Sequence, residues 1–288
     1  MYLLLLSSLC LASAQLGVIV NPDASYAVTM GGAVVTELAS APGGAYLLRY
    51  DNIVHSSADN TLKADAAPSP ISGSDVLGAY TGYSVGFNGG VFVATFRVYA
   101  ARNAVVFGQS FPGGLSGMSG GDAGGLSSAF PVFGLPKNDL NSPATGYLTW
   151  SGGMCTGRTG VWTDAGLNPG HFSEQSGPIV IFNDTTSIAI SPASGFMTAN
   201  LNFCSLTGMA LGSGLGGMVN EVPPGWTYET IVVGGVGGVT QTVVAWGDAL
   251  LLRGNKTRTK PDADIAVATL GYWTCVCSPL PRPRPRAN

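Results

Sequence analysis

The chain reads as an all-β protein, an antiparallel sandwich with one helix near its end, and three observations say so. Glycine supplies 42 of 288 residues, about twice the usual share, and helices tolerate glycine poorly. Valine, threonine and aromatic residues recur in short runs bounded by glycine, asparagine and proline, the pattern of strands joined by tight turns. Only one long stretch, from Val239 onward, places apolar or small side chains at helical spacing.

The first fourteen residues, MYLLLLSSLCLASA, form an apolar core followed by small residues, with Ala12-Ser13-Ala14 suited to cleavage before Gln15. The apolar run is too short to span a bilayer. Residues 1–14 are therefore expected to be a signal peptide, and the rest of the chain secretory or extracellular with no membrane span after cleavage.

Strands are predicted at Leu16–Val20, Tyr26–Met30 and Ala33–Leu38, the last two joined by a Gly31-Gly32 turn. Further candidates are Ala45–Arg49, Tyr80–Phe87, Val91–Tyr99, Asn103–Gln109, Tyr147–Trp150, Ile179–Phe182 and Ser187–Ile190. Val91–Tyr99 has the cleanest alternation, entered through Asn88-Gly89-Gly90. Pro112–Ser128 and Ser205–Met218 read as flexible glycine loops that order only against a neighbouring domain.

From Val239, a helical face collects Val243, Trp246, Ala249 and Leu250. Thr240 is the expected cap, Arg253 suits the negative end of the helix, and Gly254 is placed to stop it in a left-handed conformation. A polar run, NKTRTKPDAD, leads to Ile265–Leu270, which alternates like a new strand. Strands, one helix, a polar crossing and a strand beginning together describe a joint between domains.

Charged residues are only 10% of the chain and the net charge is −3. Residues 253–286 hold seven of the thirteen Lys and Arg and two of the sixteen acids, a local +5; the six bases and fourteen acids elsewhere give −8. An acidic, weakly charged body with a basic end is no nucleic-acid groove binder.

Four cysteines remain after the signal, Cys155, Cys204, Cys275 and Cys277, which permit three pairings. Cys155–Cys204 is the bridge chosen within the β domain. Cys275-Val276-Cys277 lacks the spacing and second ligand pair of a metal site, and no metal or cofactor is expected. Asn183-Asp184-Thr185 and Asn255-Lys256-Thr257 are glycosylation sequons, so Asn183 and Asn255 are the candidate modified residues.

A family resemblance attaches to the joint. Pro224-Gly225, Glu229-Thr230, Val233-Gly234-Gly235, Gly238, Thr242 and Ala245-Trp246-Gly247-Asp248 are its first part. Leu250-Leu251, Gly254-Asn255-Lys256, Arg258, Asp262-Ala263-Asp264 and Leu270-Gly271-Tyr272-Trp273-Thr274 complete it. Together they resemble the junction in large glycoside-hydrolase-like proteins related to the α-galactosidase and raffinose-synthase group. Ser176–Phe182 and Ser194-Gly195-Phe196-Met197 resemble late sandwich strands of the same proteins. The resemblance implies a galactose-mutarotase-like β-supersandwich over residues 15–237 and a helical linker over 238–264. It further implies the first strand of a catalytic (β/α)8 barrel at 265–274.

In that family Asp-Asn-Gly and a tyrosine run follow, whereas here a divergent Pro/Arg-rich tail occupies 275–288. The family's catalytic acids lie beyond the first barrel strand, so none is carried over. The chain is expected to be a non-catalytic support or substrate-shaping module, with carbohydrate and the absent barrel as its partners. The alternatives are a complete secreted carbohydrate-binding or structural sandwich, and a serine hydrolase using Ser119.

Gly117-Met118-Ser119-Gly120-Gly121 matches the nucleophile-elbow spacing, with Asp164 and His171 following in hydrolase order, but glycines after it would break the helix an elbow requires. Gly212–Gly217 matches a dinucleotide fingerprint but precedes no helix. Asp262 and Asp264, two residues apart, could share a face as a carboxylate pair, yet read as solvated turn residues; Glu221 and Glu229 are no better placed. Trp246 and Tyr272-Trp273 could stack on sugars, but Trp246 is the expected dock of the helix on the sandwich. His171 reads as a loop residue, and Asp248 as facing solvent or bracing the helix.

Overall fold

The computed structural model describes residues 15–41, 45–136, 145–151, 156–163, 166, 168–172, 176–203, 210–235 and 237–258. The expected signal residues 1–14, Cys155, Cys204, Asp164, Asp262, Asp264, the strand at 265–274 and the tail at 275–288 lie outside them.

The chain opens with a meander of β1 (Leu16–Val20), β2 (Tyr26–Met30) and β3 (Ala33–Ala39). Gly31 and Gly32, at φ 61° and 86°, turn β2 into β3 as the twist of a two-residue hairpin demands. β4 (Leu47–Tyr50) and β5 (Ile53–Ser56) pair across Asp51 and Asn52, both left-handed. Successive hairpins then link β6 (Ser69–Asp75), β7 (Gly78–Phe87), β8 (Phe92–Tyr99) and β9 (Ala104–Phe111).

The short β10 (Ser128–Ala129) and β11 (Val132–Phe133) precede β12 (Gly146–Ser151), β13 (Thr156–Val161), β14 (Ser176–Phe182) and β15 (Ser187–Pro192). β16 (Ala199–Phe203), β17 (Leu211–Leu215), β18 (Trp226–Gly235) and α1 (Gly238–Arg253) complete the described chain. Its strands pair antiparallel. One sheet of nine runs β13-β12-β14-β15-β18-β9-β8-β7-β6, and three three-stranded sheets, β1-β2-β3, β10-β4-β5 and β11-β17-β16, pack against its inner face. The expected all-β sandwich with one helix is what forms.

Alternation explains the layers. In β8, Phe92, Ala94 and Phe96 turn inward and are fully buried, while Val93, Thr95 and Arg97 face out. β9 is buried on both faces because Ala104 and Val106 lie under α1. Tyr26 is the hub of the aromatic core, with its ring centroid 5.2 to 6.1 Å from those of Tyr46, Phe96, Phe107, Phe130 and Phe133. Its Oη accepts from the Val132 N–H at 2.6 Å and points its own proton toward the carbonyls of Ala45 and Val132 at 3.1 and 3.2 Å.

A second buried polar set stitches the sheets. Gln109 Nε2 donates to the Phe130 and Ser213 carbonyls at 2.8 and 3.1 Å, and Ser128 Oγ donates to Gln109 Oε1 at 2.6 Å. Ser213 Oγ meets Tyr228 Oη at 2.9 Å and Thr230 Oγ1 at 2.7 Å.

These contacts correct the reading of Ser205–Met218 as a loop. Its described part contains β17, buried throughout. The glycines there permit close approach: a Cβ on Gly214 would lie 1.9 Å from the Ser128 carbonyl oxygen. Pro112–Ser128 is likewise held by its own chain. Leu115 and Val222 exchange backbone bonds of 3.0 and 2.9 Å, Met118 donates to Asn220, and Gly120 donates to Gly217. β5, β6, β13 and β16 are further strands absent from the sequence reading. Ser194–Met197 is not a strand but the turn between β15 and β16, closed by Thr198 N–H donating to the Gly195 carbonyl at 2.8 Å.

Burial pushes the phenols of Tyr26 and Tyr46 well above their ordinary value and that of Tyr228 up to about 12. A raised folded value means this stability is complete below about pH 10, where free tyrosine titrates, and is lost as pH rises through the folded values. Between about pH 10 and 12 the unfolding free energy should fall by about 1.4 kcal/mol per pH unit for each such tyrosine. Urea titrations across that range, with tyrosinate absorbance as the second probe, check the slope.

Candidate functional site: the helix–sheet joint

α1 starts without the cap expected from Thr240. Gly237 precedes it and no side-chain cap bond forms, because Gly238, at φ 82°, makes the turn in. Its end also differs in detail. Gly254 keeps near-helical angles, and Asn255, at φ 51°, takes the left-handed position. Asn255 N–H donates to Leu252 O and Lys256 N–H to Leu251 O, at 3.1 and 2.8 Å, which closes a Schellman-type end. Asparagine tolerates that conformation well, so glycine was not needed there.

From this frame α1 runs back along β18 over the outer face of the large sheet. Thr242, Trp246, Ala249 and Arg253 are spaced four, three and four residues apart and share the sheet-facing side. Thr242 Oγ1 lies 2.6 Å from Ser187 Oγ, and Gly235 leaves the room, since a Cβ there would be 2.1 Å from that hydroxyl. Trp246 Nε1 donates to Ser191 Oγ at 2.7 Å, so the expected docking role of Trp246 holds. Ala249 is buried in an apolar cluster with Val106, Ile231 and Val233.

The last turn carries the charge. Arg253 Nη2 pairs with Glu229 Oε2 and Arg253 Nε donates to the Ala193 carbonyl at 3.3 Å. The other oxygen, Glu229 Oε1, pairs with Arg97 Nη2. Arg97 Nη1 reaches Asp75 Oδ2 at 3.0 Å, and Tyr99 Oη donates to the same oxygen at 2.6 Å. The side chains of Arg97, Glu229 and Arg253 are only 15–16% exposed. Burial, and next the charge of Arg97, pull the Arg253 guanidinium below its ordinary value; burial, and next the Asp75 bond, push the Tyr99 phenol up.

Both Glu229 oxygens are held by guanidinium groups, so this carboxylate is fixed as an acceptor and is poorly placed to shuttle a proton. The arrangement is a lock between β8, β18 and α1. Glu229 was passed over in the sequence because its partners lie 132 residues upstream and 24 downstream. Outside the lock, Asp248 accepts from Arg258 Nε at 2.8 Å on the exposed side, so it both faces solvent and braces the helix end.

Among the described residues, the other candidates are held separately. Ser119 Oγ donates to the Gly217 carbonyl at 3.2 Å and accepts from Gly121 N–H at 3.1 Å, and no helix follows it. His171, in a 3-10 turn at Pro169–Phe172, lies 2.8 Å from Tyr147 Oη through Nδ1. Glu221 is exposed. Asn183 sits in the β14–β15 turn with Oδ1 accepting from both the backbone and the hydroxyl of Thr185 and Thr186, and Asn255 is exposed after α1. Among the described residues there is no group of three or more His, Cys, Asp or Glu suited to a metal, and no helix long and apolar enough to cross a membrane.

Two of the clefts at the surface are lined by described residues. One, of about 430 Å³, is lined by Asp23, Asn60 and Lys63, but its Ser40 and Ser57 hydroxyls are occupied accepting backbone N–H groups. The other, of about 410 Å³, lies where the chain approaches β18 and includes Tyr50, Asp51 and Pro224.

No family model matches the chain, and no curated protein matches it in sequence. Among solved structures it is similar to the α-galactosidase from Lactobacillus brevis, at 10% identity and a TM-score of 0.40 over 72% of this chain and 31% of that one. It is also similar to a bacterial glucoamylase complexed with acarbose, at 9% identity and a TM-score of 0.36 over 83% of this chain and 34% of that one. The chain thus spans about a third of the length of either. Likeness at that level transfers no activity.

Proposed function

We propose that this chain is the non-catalytic sandwich module of a secreted glycoside-hydrolase-like protein of the α-galactosidase-related kind, serving to support and orient a following domain. One observation carries the reading. The residues in which the sequence resembles that family's junction include those that fix α1 to the sandwich: Glu229 in the double ion pair, Thr242 on Ser187 and Trp246 on Ser191. A joint built this way sets the orientation of whatever the helix carries.

The full chain, purified free of host glycosidases, should release no sugar from nitrophenyl glycosides or raffinose-type oligosaccharides. Release abolished by Ser119→Ala would instead support the serine hydrolase. Release abolished by Asp262→Asn or Asp264→Asn would overturn the non-catalytic reading. Reading the gene past the codon for Asn288 separates a module from a complete binding or structural protein, because only the former predicts a barrel downstream. N-terminal sequencing of secreted material should begin at Gln15.

A further inference from the structure

The turn between β7 and β8 needs the residue pair that chemistry makes fragile. Asn88 and Gly89 both take left-handed backbone, at φ 50° and 72°, which asparagine and glycine tolerate best. They are also the chain's single Asn-Gly pair. In such a pair no side chain shields the glycine nitrogen, so it can attack the neighbouring side-chain amide. The Gly89 N–H gives its proton to solvent, its nitrogen bonds to Asn88 Cγ, and Nδ2 departs as ammonia, leaving a five-membered succinimide. Water then opens that ring to aspartate, or to isoaspartate, in which the backbone runs through the side-chain carbons.

In the folded turn the atoms that must change are engaged elsewhere. Asn88 Oδ1 accepts from the Lys63 N–H at 2.8 Å, while Nδ2 donates to the Thr61 carbonyl at 2.9 Å and to Tyr50 Oη at 3.2 Å. Gly89 N–H donates to Asp65 Oδ1 at 2.7 Å, and Gly90 N–H to Asp65 Oδ2 at 3.0 Å. Loss of ammonia removes both Nδ2 bonds, and loss of the amide proton removes the bond to Asp65. The Asp65 carboxylate also opposes the negative charge that grows on the Gly89 nitrogen. Gly89 itself is exposed, so water for the second step is at hand.

We propose that Asn88 is a site of spontaneous hydrolytic modification, held latent by the folded turn and released when the turn opens locally. The step runs one way. A carboxylate at position 88 has no proton to offer the Thr61 carbonyl, and it brings a second negative charge to a turn that already holds Asp65. As isoaspartate it also lengthens the backbone of the hairpin. Asn88 ties Tyr50 at the end of β4, and Thr61 and Lys63 beyond β5, to the large sheet. Conversion therefore marks a molecule whose turn has opened and leaves that end of the sandwich less firmly held. The site stands independently of the module reading.

The test holds the full chain in mildly alkaline buffer, folded or in denaturing guanidinium chloride, and follows the tryptic peptide Ala64–Arg97 by mass spectrometry. A gain of about 1 Da, with isoaspartate detected by isoaspartyl methyltransferase, is expected in denaturant and at least about 20-fold more slowly in the folded chain. Asp65→Ala should raise the folded-state rate at least about 5-fold and leave the denatured rate within about 2-fold. Asp65→Asn, which keeps the side-chain volume should the alanine variant not fold, removes the charge and should act in the same direction. Tyr26→Phe weakens the core away from the turn and should leave the folded-state rate within about 2-fold of the parent. Asn88→Asp, the unisomerised product, should melt at least about 3 °C below the parent. No conversion in denaturant overturns the site. Equal rates in the two states, or equal acceleration by the Asp65 variants and Tyr26→Phe, overturn the local gating. An Asn88→Asp chain as stable as the parent overturns the one-way consequence.

Discussion

Tyr26→Ala should lower the unfolding free energy by roughly 5 kcal/mol, the upper part of the range for truncating a buried aromatic side chain. The ring is the common neighbour of Tyr46, Phe96, Phe107, Phe130 and Phe133, so no single side chain can collapse into the space it leaves. The same change strips the Val132 N–H of its 2.6 Å acceptor in a site without water access. For a domain of this size the loss corresponds to a fall in Tm of roughly 10–20 °C. Since whole domains are stable by only about 5–15 kcal/mol, the variant stands at the edge of folding. Tyr26→Phe keeps the ring and removes only the hydroxyl, and should cost about 1–3 kcal/mol. Urea denaturation of both reports the partition; a Tyr26→Phe protein as stable as the parent would contradict the bonded hydroxyl.

Glu229→Gln is expected to cost roughly 3 kcal/mol, near the lower end for breaking a buried ion pair from one side. The amide fills the same volume but leaves Arg97 and Arg253, both largely buried, facing each other without the shared anion. Because Arg253 is the last turn's hold on the sheet, α1 should loosen from that end. Trypsin would then cut after Arg253 faster than in the parent, and Trp246 fluorescence should move toward that of a solvated indole. Asp248→Asn is the control: that pair is more than half exposed, and the effect should stay below about 1 kcal/mol. Equal effects from Glu229→Gln and Asp248→Asn would show that the shared carboxylate is no lock.

Local pattern made much of this architecture readable. The β8 alternation, the Gly31-Gly32 and Asn88-Gly89-Gly90 turns and the helix at 238–253 all depend on neighbours within a few residues, and each appears where the sequence places it. What escaped reading depends on distant chain. Leu211–Leu215 contains two glycines and a serine and looks like a loop, yet it is a buried strand because Ser128 and Gln109 press close against it. Of the face read as Val243, Trp246, Ala249 and Leu250, the last three pack on the sheet, but Thr242, which apolar spacing leaves out, is fully buried because the Ser187 hydroxyl receives its own. The candidate site was less legible still. Glu229 gains its meaning from Arg97 and Arg253, and the 410 Å³ cleft joins four segments that no spacing rule relates.

The contacts of α1 also impose a phase. Thr242 and Arg253 must reach Ser187 and Glu229 from one side of the helix, and the eleven-residue step from one to the other makes just over three whole turns. Adding or deleting one residue between them would rotate one contact about 100° away from the other and shift it about 1.5 Å along the axis. The interval therefore behaves like a gear tooth count rather than a spacer length. Within the interval only a step close to a full turn would keep both ends engaged.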